Sequence, residues 1–240
     1  MNGCIDMGNT STKIAFFEGE KMQSHHVVEN HLEEIIDLVE SHQPDRVLVS
    51  SVGNEELTHQ VMEQVSQLCD VQLLSTKMKT SFSNAYQSLD TLGLDRFAAV
   101  AGAYHQYPNQ NVLIIDAGTC LTLDFIDKEG VYQGGSILPG LQMRFQALYQ
   151  LTNRLPLVES EWPEDFIGKN TKQSIQTGVL QGMVHELDGF IEQYRAEYGK
   201  VILILCGGDA HFFESRSKNE IFAHPNLVLE GMNSILNINI

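Results

Sequence analysis

Basic charge is scarce in this sequence. Against 31 Asp and Glu stand only 15 Lys and Arg, a formal net charge of -16 over 240 residues. Nucleic acid and anionic membrane surfaces both call for a basic face, so neither is expected as a partner. No run of 18 apolar residues occurs, which excludes a membrane-spanning helix. No charged segment followed by an apolar one opens the chain, and a cytoplasmic location is expected. Cysteine is sparse as well. Cys4, Cys69, Cys120 and Cys206 lie far apart, mostly within apolar runs, and form no C-x-x-C. Neither a zinc site nor a redox pair is indicated, and buried thiols in a reducing compartment are the better reading. The glycine-rich signatures G-x-x-x-x-G-K-[ST] and G-x-G-x-x-G are both missing, which disfavours the nucleotide folds that carry them. The nine histidines show no metal spacing: His25-His26 reads as a surface pair, and His185-Glu186 lacks the second histidine of a zincin motif.

What is present is an ordinary globular composition, 42% hydrophobic and 19% charged, with length enough for a sizeable core in one or two domains. One pattern occurs twice. Ile5-Asp6-Met7-Gly8-Asn9-Thr10-Ser11-Thr12-Lys13 returns as Ile115-Asp116-Ala117-Gly118-Thr119-Cys120-Leu121-Thr122. Each copy follows an apolar run, leads into another, and closes on an acidic-Gly turn, Glu18-Gly19 or Glu129-Gly130. Strand, tight polar turn, strand is the plain reading. A carboxylate, a glycine and small hydroxyls suit a backbone that approaches phosphate or a hydrated cation. One such hairpin is ordinary turn chemistry. Two of them half a chain apart point to a duplicated fold with a ligand held between the halves.

Between the copies, Leu32, Ile35, Ile36 and Val39 mark one helical face, with Asn30 and Glu33 as a capping box and Pro44 as the stop. Val47–Val49 reads as a buried strand, Glu55–Leu68 as a helix burying Leu57, Val61, Val65 and Leu68, and Val71–Leu74 as a short strand. Strands alternating with helices imply a covered, largely parallel sheet. Residues 75–92 are polar and aperiodic, a loop long enough to suggest function. They lead into Gly93-Leu94-Asp95-Arg96 and a small-residue helix, Phe97 to His105. Tyr107–Asn111 is rich in turn formers and sets the expected boundary, giving domains 1–109 and 110–240. In the second half, Leu141, Phe145, Leu148 and Leu151 share a helical face, and 157–170 is irregular. Ser174–Tyr198 is the longest helix, followed by a buried strand, 201–205, that ends in Cys206-Gly207-Gly208-Asp209-Ala210.

Asp6-Met7-Gly8-Asn9-Thr10, Gly93-Leu94-Asp95-Arg96, Asp116-Ala117-Gly118-Thr119 and Cys206-Gly207-Gly208-Asp209-Ala210, in this order and over nearly the whole chain, resemble the type III pantothenate kinases. That family belongs to the superfamily of acetate kinase, heat-shock chaperone ATPases, actin and sugar kinases. The resemblance implies an α/β protein of two duplicated ribonuclease-H-like domains with a nucleotide cleft between them. It implies ATP-dependent phosphorylation of pantothenate, with Mg2+ and a monovalent cation, K+ or NH4+, in a homodimer. Carried over by position, Asp6, Met7, Gly8, Asn9, Thr10, Ser11, Thr12 and Lys13 would form the first phosphate loop, and Thr119 would contact ATP. Asp6 would hold Mg2+ and Asp116 the monovalent cation. Asp95 would be the catalytic base, and Tyr86, Gly93, Leu94, Asp95, Arg96 and Thr171 would touch pantothenate. The sequence departs from the family at Leu94 (often Ala or Val there), at Cys120 (often Ala) and at Asn153-Arg154.

Bland readings stand beside these. Asp95 before a small-residue helix is also an ordinary N-cap. Lys13 is either a fixed charge on the phosphates or a solvated hairpin residue. Arg96 either grips the substrate carboxylate in two-pronged fashion or pairs with a nearby acid. Gly207-Gly208 either lets adenine or ribose lie close to backbone or makes a tight turn. Helix 174–198 is the expected dimer contact. The rival functions are another sugar- or acetate-type kinase of the superfamily and a non-catalytic ATP-binding regulator.

Overall fold

A computed structural model describes residues 1–214 and 216–239. The strands are β1 (Asn2–Met7), β2 (Thr12–Glu18), β3 (Lys21–Val28), β4 (Arg46–Ser51), β5 (Asp70–Leu73), β6 (Ser83–Asn84), β7 (Val112–Ala117), β8 (Cys120–Ile126), β9 (Val131–Pro139), β10 (Ile202–Cys206) and β11 (Phe222–Ala223). The helices are α1 (Leu32–His42), α2 (Glu55–Val65), α3 (Leu94–Gln106), α4 (Leu141–Gln150), α5 (Thr171–Gln176), α6 (Gly182–Tyr198) and α7 (Leu227–Ile238). They pack as two compact units. Unit one is Met1–Asn109 with Ile126–Gln133 and Asn226–Ile240, and unit two is Gln110–Phe125 with Gly134–Pro225. A single cut after 109 therefore does not describe the chain, because its last helix packs with the first unit.

Unit one is built on the sheet order β3-β2-β1-β4-β5, antiparallel from β3 to β1 and parallel from β1 to β5. Side chains alternate across a strand. Ile5, Met7, Val47 and Val49 therefore face one side, where they form a core with Ile35 and Val39 of α1 and Val61 and Val65 of α2. Asn2 faces the other side and donates to Asn233 and Asn237 of α7 at 2.8 Å each. Helices α3 and α7 pack at backbone distance. A Cβ on Gly231 would strike the Ala98 carbonyl, and one on Gly102 would lie 2.5 Å from the Leu227 carbonyl oxygen. The small residues of α3 are thus explained by helix packing. The long polar stretch after β5 is tied to the sheet through β6, which pairs with Val131 and Tyr132 at the start of β9.

In unit two, β10 runs parallel to β7, and the order is β11-β10-β7-β8-β9. Leu113, Ile115, Leu121 and Leu123 meet Phe145 of α4 and Leu187 and Ile191 of α6 in one core.

Four local expectations change. Helix α1 has His31 at its N-cap with no side-chain bond, so Asn30 does not form a capping box with Glu33. Its amide is engaged elsewhere, as described below. Leu68 lies beyond the end of α2 and is 45% exposed. The helix expected from Ser174 begins at Thr171 and passes through a π-helical turn at Thr177–Gln181. One extra residue per turn there buries both Val179 and Leu180, and Gly178 and Gly182 weaken the competing regular helix. His25 is exposed, but His26 is half-buried, packed with Phe16 and His42, its Nε2 buried without a hydrogen-bond partner.

Candidate functional site

The first turn joins β1 to β2. Gly8 N–H donates to Ser11 O at 3.1 Å, which closes the turn, and Asn9 and Thr10 stand exposed at its tip. Asn30 holds it from behind: its Nδ2 donates to Gly8 O at 3.0 Å, and its Oδ1 accepts from the Thr12 hydroxyl at 2.7 Å. Thr12 is fully buried, so its hydroxyl supports the turn instead of facing outward as a phosphate contact. Met7 is also buried, in the unit-one core. Asp6, at the end of β1, is half-buried with Lys13 opposite it on β2 and Ser50 opposite it on β4. Residues opposite one another share a face, so Asp6 and Lys13 form a carboxylate–ammonium pair of neighbours at the mouth of the turn. Ser50 is fully buried and its hydroxyl has no partner.

Helix α3 starts three residues earlier than the apolar pattern indicated. Gly93 is the N-cap and accepts from Phe97 N at 3.0 Å. Asp95 therefore sits inside the first turn, not at the cap. Its Oδ1 accepts from Arg96 N at 2.8 Å and folds back over Gly93, where a Cβ would come within 2.5 Å of it. The bare Gly93 thus makes room for the carboxylate. Arg96 is 6% exposed, and its guanidinium carbon lies 5.6 Å from the centre of the Tyr86 ring. That ring in turn stacks on Tyr132 at 6.0 Å. The fold thus brings Tyr86 to Arg96 across the intervening loop. Tyr86 N is anchored by Asn84 Oδ1 at 2.9 Å, while the Asn84 amide nitrogen is buried without a partner.

Leu94 lines a cavity of about 540 Å3 with Val52, Gly53, Thr58, His59, Met62 and Leu73 among its other walls. Sequence reading passed over these residues, because Val52 and Leu73 carry no motif. The available signal is their exposure: 39% and 49% for two apolar side chains at the carboxyl ends of β4 and β5.

In unit two, the second turn is Gly118-Thr119, closed by Gly118 N–H donating to Cys120 O at 3.0 Å. Thr119 is exposed and Cys120 half-buried. Asp116 ends β7. Gly207 has φ +91°, and a Cβ there would collide with the Asp116 carboxylate and the Ala117 backbone. Asp209 N–H donates to Ala117 O at 2.8 Å, so the turn after β10 is pinned against Asp116. Gly140, at the N-cap of α4, lies against the Gly118 and Thr119 carbonyls so closely that no side chain would fit. It is a further residue the sequence reading did not single out. Burial raises the Asp209 carboxyl above the usual carboxylate range, with His211 opposing. Thr171 is exposed at the start of α5 and lines a different cavity, of about 720 Å3, with Arg144, Leu148 and Ile175. Among the described residues no group of three or more His, Cys, Asp or Glu is placed to hold a metal ion.

The family model for type III pantothenate kinase matches residues 4–193. The chain belongs to the type III pantothenate kinases. Its relatives of that name include one from Flavobacterium johnsoniae, 42% identical over 95% of this chain and 94% of the relative, and one from Cytophaga hutchinsonii, 41% identical over the whole of both. Among solved structures, a Campylobacter jejuni protein assigned to the Baf family of transcriptional activators superposes with a TM-score of 0.65. It is 20% identical and covers 98% of this chain and 97% of that one. A Listeria monocytogenes protein assigned as an N-acetylmannosamine kinase superposes at 0.54, with 14% identity over 98% of both chains. At such identities these two show the fold alone. This type III pantothenate kinase shares their α/β, ribonuclease-H-like fold, and its family makes it a kinase.

Proposed function

We propose that the protein transfers the terminal phosphoryl group of ATP to the primary hydroxyl of pantothenate, giving 4'-phosphopantothenate in the first step of coenzyme A biosynthesis. The alcohol oxygen attacks the γ-phosphorus, the bond to the β–γ bridging oxygen breaks, and ADP leaves. Asp95 orients the alcohol and accepts its proton late, since such transfers depend mainly on positioning and charge neutralisation. The observation that carries this reading is the start of α3, where a bare Gly93 lets the Asp95 carboxylate fold back beside Arg96, and Arg96 lies over Tyr86. Gly93, Leu94, Arg96 and Tyr86 are assigned to pantothenate; Thr171, which lines a different cavity with Arg144 and Ile175, is assigned to it by the family resemblance alone. Arg96 suits its carboxylate, and the apolar wall of Val52, Met62, Leu73 and Leu94 suits its branched methyl carbons.

The first turn, from Asp6 through Gly8, Asn9, Thr10 and Ser11 to Lys13, is assigned to ATP phosphates, and Thr119 to ATP as well. Met7 contributes through its backbone and Thr12 by bracing the turn. Mg2+ in kinases is held through one or two carboxylates together with phosphate oxygens and water, and Asp6 would supply such a carboxylate. Asp116, with the Ala117 carbonyl and the bare Gly207 beside it, would supply an oxygen donor of the kind a K+ or NH4+ ion takes. These ions would offset triphosphate charge in a protein with a net charge of -16.

The homodimer is part of this proposal, with a change of surface. The apolar residues of 171–198 are spent on the unit-two core, whereas Ile137, Met143, Tyr149, Leu151, Phe166 and Ile167 are exposed by 43–83%. Helix α4 and the segment after it are therefore the better dimer face. Cytoplasmic action is proposed too, and among the described residues no helix is long and apolar enough to cross a membrane.

The test is formation of phosphopantothenate from ATP by purified protein with Mg2+, with and without K+, beside Asp95→Asn. The variant should melt with the parent while kcat falls about 10²- to 10⁴-fold. Full turnover in Asp95→Asn would remove that carboxylate from the mechanism.

A further inference from the structure

Arg96 and Tyr86 have a neighbour that no motif marks. Tyr132, the second residue of β9, is fully buried. Its ring lies nearly parallel to that of Tyr86, with centroids 6.0 Å apart and planes 6° apart. An offset stack at this separation is a favourable arrangement for two aromatic rings. Tyr86 is thus shared, with Tyr132 stacked on it and the Arg96 guanidinium over it at 5.6 Å.

The backbone of Tyr132 also holds the segment in which Tyr86 stands. Ser83 and Asn84 run opposite Val131 and Tyr132. Ala85 N–H donates to Tyr132 O at 3.0 Å, and Ser83 N–H donates to Gly130 O at 2.8 Å. Beyond Tyr86 the chain is exposed from Gln87 to Thr91, so the ring takes its direction from the one it stacks on. Helix α3 meets the same place a second time. Gly130 has φ +77°, and a Cβ there would lie 2.6 Å from the Tyr104 hydroxyl. The start of β9 is therefore braced by the helix that carries Asp95 and Arg96.

A guanidinium grips a carboxylate through two parallel bonds only when its plane is set. An arginine side chain has many rotamers, and an aromatic face limits them by cation–π attraction. That limit is only as good as the hold on the ring itself. We propose that Tyr132 is a positioning residue that sets acceptor specificity: its buried ring fixes Tyr86, and Tyr86 fixes the Arg96 guanidinium in the orientation that takes the acid group of the acceptor. Tyr132 itself touches neither the acceptor nor ATP, so it bears on which acceptor binds and not on the transfer step. This deepens the assignment of Arg96 to the pantothenate carboxylate and rests on it.

The experiment compares pantothenate with panthenol, which has the same primary hydroxyl but a hydroxymethyl group in place of the carboxylate. Tyr132→Leu should raise the KM for pantothenate about two- to ten-fold, with kcat and the KM for ATP close to those of the parent. Its kinetics with panthenol should not change, so the preference for pantothenate falls by the same factor. Tyr132→Phe, which keeps the ring and gives up the hydroxyl, should keep both the KM and the preference. Tyr132→Met fills the space with an unbranched apolar chain and serves if Tyr132→Leu does not fold. Equal losses for the two acceptors, no loss in the variant without a ring, or a loss in Tyr132→Phe as large as in Tyr132→Leu overturns the positioning role and leaves the kinase assignment standing. A parent with no preference for pantothenate over panthenol overturns it as well. A parent that phosphorylates neither acceptor overturns the proposed function and this inference with it.

Discussion

Asn30 belongs to no nucleotide motif, yet the first turn depends on it. Its amide bonds both ends of the turn, Gly8 O and the Thr12 hydroxyl. Asn30→Ala leaves the buried Thr12 hydroxyl without its acceptor, which costs about 1–3 kcal/mol. The expected outcome is a melting temperature lower by roughly 2–12 °C and a KM for ATP raised more than that for pantothenate. Asn30→Asp, which keeps the acceptor and loses the donor, should fall between. Differential scanning fluorimetry and steady-state kinetics would check both.

Asp209 makes a pH-dependent case. Its folded pKa is raised by burial, so the fold disfavours the ionised form. The stability contributed by the neutral form is present below the unfolded pKa and is lost as pH rises through the folded one. Asp209→Asn is therefore expected to melt higher than the parent at pH 7, measured without nucleotide. The difference should shrink as the pH is lowered towards the ordinary aspartate range, about 4. A difference that grows on acidification would contradict this account.

At the scale of elements, the contact between α3 and α7 matters most, because α3 carries Asp95 and Arg96 at its first turn. Gly231 meets the Ala98 carbonyl with no space for a methyl. Gly231→Ala should cost on the order of 3 kcal/mol, a fall in melting temperature of roughly 6–12 °C. Gly189 on α6, with open space around it, is the control. There Ala should raise the melting temperature slightly, since it replaces the poorer helix former.

The same contact shows where sequence patterning runs out. Ala98, Ala101 and Gly102 look like a weak helix until α7 is laid against them. The apolar residues of α7, Leu227, Leu229, Met232, Ile235 and Leu236, are all buried, but the pattern reading ended at Ala210. The early start of α3 was illegible for a related reason: Leu94 and Asp95 break the apolar periodicity by serving a cavity and a carboxylate site instead of the core.

Over the whole molecule, the predicted assembly is a dimer of twice the 26.9 kDa chain mass, measured by light scattering at micromolar concentration. Leu151→Glu with Phe166→Glu should return it to the mass of one chain, since each residue is more than two-thirds exposed and neither belongs to the buried core. A charged pair on the polar side of 171–198 should leave the dimer intact. A double variant that remains dimeric would place the interface elsewhere.

Sequence alone determined what depends on neighbours along the chain. Alternating apolar residues around two Asp-x-Gly turns meant strands joined by tight turns. Their repetition meant duplication, and 15 cations against 31 anions argued against nucleic acid or an anionic membrane surface as a partner. Only the tertiary structure decided which side chains meet from distant positions. It gave Asn30 to the first turn instead of to α1, laid Arg96 over Tyr86, and packed the last helix with the first unit. The physical reason is that backbone preference and hydrophobic period act within a few residues, whereas a polar group finds its partner wherever packing leaves one within hydrogen-bonding distance.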